Sequence, residues 1–88
     1  MYSLSIKPSL DIKLKKLAQK DKKQMEIISR KIEEIIKNPQ HFKNLRAPLQ
    51  YLKRVHVGKS FVLVFSVDEA KKIVTLENYD HHDVIYKS

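Results

Sequence analysis

Between Asp21 and Pro39 the apolar residues Met25, Ile28, Ile32, Ile35 and Ile36 recur three or four apart, with Lys31, Glu33, Glu34 and Lys37 among them. An α-helix turns once in about 3.6 residues, so this spacing stacks the five apolar side chains on one face and turns the charges to water. The isoleucine stripe is therefore core, and a second layer must cover it. Asp21 with Gln24 three residues on has the form of a capping box, and Pro39 ends the helix. Upstream, from Ser9, Leu10, Leu14, Leu17 and Ala18 repeat the same spacing on a shorter helix. The link at Lys20–Asp21 is so short that the two helices are expected to form an antiparallel hairpin.

On both sides of this hairpin the period changes to two. Tyr2, Leu4 and Ile6 alternate with Ser3, Ser5 and Lys7, predicting a strand with one buried face that Pro8 ends. Residues 51–57 (YLKRVHV) turn at Gly58-Lys59-Ser60 into 61–67 (FVLVFSV), and 68–71 (DEAK) turn into 72–79 (KIVTLENY). Residues 41–50 (HFKNLRAPLQ) have no clear period and are read as a loop anchored by Phe42 and Leu45. The expected fold is α+β in the order β-α-α-β-β-β, an antiparallel sheet packed on an N-terminal helical hairpin, with residues 1–88 forming one domain.

Charge and missing residue types narrow the function. The net charge is +8, and the excess lies before Arg46: 12 cations against 5 anions up to that residue, 6 against 5 after it. Polyanions are the natural partners of such a surface. The absence of cysteine excludes disulfides, a thiol nucleophile and thiolate metal sites. With Gly58 the only glycine, P-loop and Rossmann motifs are impossible, and no G-x-S-x-G turn marks a serine nucleophile. No apolar run approaches the roughly 18 residues of a membrane span, and the N-terminus lacks a signal peptide, so a cytoplasmic protein without membrane contact is expected. His81, His82 and Asp83 are a poor metal site, because adjacent histidines on an extended chain point to opposite sides and helical H-x₃-H spacing is missing. No metal and no cofactor are expected.

Arg54 and His56 alternate with Val55 and Val57, so if the valines meet the helices the two basic groups lie on the open sheet face, near Lys59 in the next turn. One reaction that needs neither metal nor thiol is cleavage of RNA through its own 2′-hydroxyl. It requires a base for the 2′ proton, cations for the phosphorane and an acid for the departing 5′ oxygen.

Leu45 with Pro48-Leu49, Leu52-Lys53-Arg54-Val55-His56-Val57-Gly58, Phe61 to Phe65, Val67-Asp68-Glu69, and His81-His82 with Ile85-Tyr86 follow one another over some forty residues. Their order and spacing resemble the core of the RelE/ParE toxin superfamily, specifically its RelE-like branch. The resemblance implies the toxin of a type II toxin–antitoxin pair, which cuts mRNA in the ribosomal A site without metal and is neutralised by a cognate, RelB-like antitoxin. DNA would be met only through the toxin–antitoxin complex. It also implies that Arg54 stands at a basic strand position used for the RNA phosphate and His56 at the next basic one, that Tyr86 is the terminal tyrosine that stacks on a base, and that His82 replaces an arginine in the closing "HR..VY". Arg54, His56, His82 and Tyr86 are thus the expected catalytic residues. Lys53 and Lys59 are expected to support them electrostatically, and Lys13, Lys15, Lys16, Lys20, Lys22 and Lys23 of the hairpin are expected to bind ribosomal RNA. The chain departs from the family at Val62, where an arginine is usual, which implies either weaker activity or a different catalytic set in which histidines act as acid and base. The alternatives within the superfamily are a ParE-like inhibitor of DNA gyrase and a catalytically weakened member that serves as an antitoxin-binding partner.

Overall fold

The computed structural model describes residues 1–87. A strand β1 (Ser3–Ile6) leads to two helices, α1 (Pro8–Lys20) and α2 (Lys22–Lys37). Three strands follow, β2 (Lys53–Val57), β3 (Phe61–Asp68) and β4 (Ile73–His81), and then a one-turn helix α3 (His82–Ile85). Pro8 opens α1 rather than preceding it, which costs nothing because the first helical N–H has no intrahelical partner. Asp21 caps α2 as expected, its carboxylate accepting from the Gln24 N–H at 3.0 Å.

The four strands are ordered β1-β4-β3-β2. β2, β3 and β4 form the antiparallel meander predicted by the two short turns, but β1 pairs with β4 in parallel, Ser3 opposite Ile73 and Ile6 opposite Leu76. The sheet is therefore mixed. β1 and β2 run the same way along opposite edges, so the chain between them has to cross the sheet, and the helical hairpin is that crossover.

The hairpin buries one sheet face. Leu10, Leu14, Ile28 and Ile35 pack on Val55, Val57, Leu63, Phe65, Val74, Leu76 and Tyr79. Alternation along β4 would send Tyr79 to the opposite face from Val74 and Leu76. A bulge at the Val64–Phe65 pairing, where Asn78 and Leu76 are successive partners, inserts the extra residue that turns it back. There the Tyr79 hydroxyl accepts from the Gln24 side-chain amide at 2.7 Å, and burial raises its pKa. Leu4, expected inside, is 41% exposed, because β1 is an edge strand. Tyr2 and Ile6 do pack on the core.

The second sheet face carries a smaller apolar cluster of Val62, Val64, Leu45 and Ile85, with Leu49 and Leu52 beside it. Its cover is the loop before β2 and the helix α3. The strand expected from residue 51 begins at Lys53, because Leu49 and Leu52 spend their N–H groups on turns, donating to the carbonyls of Arg46 and Leu49.

Candidate functional site

The second face is where the expected site residues meet. On β2, Lys53, Val55 and Val57 point to the helices, so Arg54 and His56 point away, opposite Val64 and Val62 of β3. β4 then stops extending at His81. The His82 N–H donates to the Ser60 carbonyl at 2.8 Å, the His81 Nδ1 accepts from the Asp83 N–H, and α3 turns back over the sheet. Ile85 is pressed into the Val62/Val64 cluster, which leaves Tyr86 at the surface. The Arg54 guanidinium lies over the Tyr86 ring, 5.8 Å from its centre.

From the other side, the loop is stitched to β2 by the Leu45 N–H to the Leu52 carbonyl (2.8 Å) and the Arg54 N–H to the Lys43 carbonyl (3.0 Å). Between loop, strand and α3 lies an open cavity of about 390 Å³, lined by Arg46, Arg54, His56, Tyr86, Asn44 and the apolar residues around Leu45 and Ile85. Among the described residues none of those lining it is acidic. Two guanidinium groups, an imidazole and an exposed aromatic ring around one cleft make an anion site with a stacking surface.

The sequence reading missed Arg46 and Asn44. Both lie on the loop, where no periodicity indicates which way a side chain points. The nearest signal is Leu45, whose burial beneath the loop fixes the residues on either side of it.

The expected residues are divided by the structure. Arg54, His56 and Tyr86 share the cavity, whereas His82 is outside its lining, with Nδ1 2.9 Å from the Asp83 carboxylate. Lys53, expected to support Arg54 electrostatically, is turned the other way: it is buried and its ammonium donates to the Phe42 carbonyl (3.1 Å) and Asn44 Oδ1 (3.0 Å). Alternation carried this signal, since Lys53 shares the side of Val55 and Val57. Lys59 is exposed in the β2–β3 turn, which Gly58 makes possible at φ +64°.

The hairpin lysines lie on the layer behind the sheet, away from the cavity. Lys16, Lys20, Lys22 and Lys23 are exposed, Lys15 pairs with Asp11 at 3.0 Å, and Lys13 donates to the Tyr79 carbonyl and sits 3.4 Å from Asp80.

His81 and His82 do not point apart as an extended chain would require. The backbone passes from strand to helix between them, so their rings lie 4.5 Å apart and their ligating atoms gather with those of Asp83 within 4.8 Å. The bond from the Asp83 N–H to His81 gives this cluster a role as the cap of α3.

No family model matches the chain. An uncharacterized protein of Methanosarcina mazei is 60% identical over 86 residues, 98% of this chain and all of that one. The protein called "Putative toxin RelE4" in Methanocaldococcus jannaschii is 58% identical over 87 residues, 99% of this chain and 93% of that one. Among solved structures, a heterotetrameric YoeB–YefM toxin–antitoxin complex from Staphylococcus aureus contains a chain with the same fold, at a TM-score of 0.76 and 18% identity, covering 93% of this chain and 98% of that one.

Proposed function

The chain belongs to the RelE/ParE superfamily of toxins, and on that premise we propose that it is the toxin of a type II toxin–antitoxin pair, a metal-independent endoribonuclease that cuts mRNA in the ribosomal A site and so stops translation. The observation that carries this reading is the cavity in which Arg54, His56 and Tyr86 converge, with no carboxylate lining it among the described residues. An RNA phosphate bound there is held by Arg54, while Tyr86 stacks on a neighbouring base.

In this reading His56 takes the 2′ proton as the 2′ oxygen attacks phosphorus. The bond from phosphorus to the 5′ oxygen then breaks, leaving a 2′,3′-cyclic phosphate and a 5′-hydroxyl. Imidazole suits such transfers near neutral pH. His82, at the start of the helix that leads to Tyr86, is the second imidazole available and would protonate the departing 5′ oxygen. Its position outside the cavity lining makes it the less demanding of the two, so His56→Ala should slow cleavage more than His82→Ala.

Substrate selection would come from the ribosome, since the cleft is open and offers few groups to read a base. The exposed lysines at 16, 20, 22, 23 and 59 would add salt-dependent affinity for ribosomal RNA. A cognate, RelB-like antitoxin would be acidic, to match the net charge of +8. Its amphipathic segment would find apolar purchase beside the cavity, where Leu49, Tyr51 and Val84 line a shallow groove. The setting is the cytoplasm, where ribosomes are; among the described residues no helix is long and apolar enough to cross a membrane.

Primer extension on mRNA bound to purified ribosomes tests the reading, with naked mRNA as control. Cuts confined to the A-site codon and dependent on ribosomes are the expected result. Intact mRNA under conditions where the protein still arrests growth would overturn it and favour a gyrase-directed toxin.

A further inference from the structure

Val62 occupies the strand position where an arginine was expected, and it is fully buried under the loop and α3. A cation for the phosphate cannot come from there. Arg46 lines the same cavity as Arg54 and His56, reaching it from the loop instead of the strand. Its place is fixed from both sides: Leu45 before it is sunk into the cluster with Val62 and Ile85, and its own carbonyl accepts from the Leu49 N–H at 2.9 Å.

Among the described residues the Arg46 side chain makes no ion pair, and no carboxylate lines the cleft to balance it against Arg54. Two arginines lining one cleft with no carboxylate between them have like charges that repel, and an anion bound between them converts that repulsion into attraction for both. We propose that Arg46 is the second phosphate-binding cation of this site, so that the scissile phosphate sits between Arg46 of the loop and Arg54 of the strand. The charge absent at position 62 is thereby supplied from the loop, and the replacement by Val62 need not weaken catalysis. This rests on the cleavage reading above and names the group that stabilises its transition state.

Single-turnover cleavage of ribosome-bound mRNA by the full chain is the test. Arg46→Ala and Arg46→Gln should each lower the cleavage rate about 100-fold, the loss typical of one oxyanion contact, with ribosome binding and circular dichroism unchanged. Arg46→Lys should recover part of the rate, because it restores charge without the two-pronged geometry. A phosphorothioate at the scissile phosphate should slow the wild-type protein more than it slows Arg46→Gln, which a merely structural role for Arg46 would not produce. Wild-type cleavage rates in Arg46→Gln, or an undiminished sulfur effect in it, would overturn the assignment while leaving the ribonuclease reading intact. Failure of the wild-type protein to cut at all would overturn both.

Discussion

The two faces of the sheet are built on opposite terms. The inner face is sealed by two helices of 13 and 16 residues over a continuous core that includes Ile28, Ile35, Leu63 and Phe65, none of them exposed. The outer face is covered only in part, by a loop and one helical turn that meet over Val62 and Val64. What the outer cover leaves open is the cleft with Arg46, Arg54, His56 and Tyr86. Burial of apolar area stabilises the first face, whereas the second buries little and leaves basic and aromatic side chains at the surface. The inner layer therefore supplies most of the buried area that supports the open face.

Substitutions separate the two. Ile35→Ala, at the centre of the inner core, should destabilise by about 2–5 kcal/mol in urea denaturation and abolish activity only as the fold is lost. A loss well under this would show that the helical layer is not the main support. Lys53→Met removes two hydrogen bonds that hold the loop to β2 and should cost about 1–3 kcal/mol. Because its ammonium faces the loop backbone, the salt dependence of ribosome binding should keep its slope; a shallower slope would place Lys53 at a phosphate after all.

Ile85→Ala should cost about 1–2 kcal/mol, since the outer cluster is small and Ile85 lies at its rim. The same change should reduce cleavage far more than its stability effect explains, because Ile85 is what sets Tyr86 beside Arg54. Cleavage that fell only in proportion to unfolding would mean that α3 does not position the site.

The smallest effect concerns acid. Glu69 has its pKa lowered to about 2 by the Lys72 ammonium, the Gln40 amide and the Tyr2 hydroxyl that donate to it. A carboxylate held below its ordinary value near 4.5 stabilises the fold fully above that pH, and the contribution is lost as the pH falls towards about 2. Glu69→Gln should therefore flatten the fall in stability between about pH 4.5 and 2 and leave cleavage near neutral pH unchanged. An unaltered acid profile would show that this exposed cluster contributes nothing measurable.

The inner face was legible because its periods are clean. Ile28 and Ile35 fall on a helical stripe, Val55 and Val57 on a strand alternation, and Asp21 before Gln24 announces the cap. The site was legible in part. Arg54 and His56 follow from the same alternation, which also held the correct orientation of Lys53 although the resemblance suggested another. Tyr79 escaped because a bulge breaks the alternation, and β1 because nothing in YSLSIK says which strand it joins.

Local pattern thus determined the elements, their buried stripes and the basic strand positions, because side-chain direction within a helix or strand is set by the backbone period alone. Three matters were left to tertiary structure: the parallel pairing of β1, the folding of HHDVIYK into a capped turn over the second sheet face, and the placing of Arg46 on the cavity that Arg54 also lines. Each depends on contacts between segments far apart in the chain. Leu45 and Ile85 meet in one cluster on a surface that Val62 and Val64 of β3 supply, and no spacing in the sequence encodes a meeting of that kind.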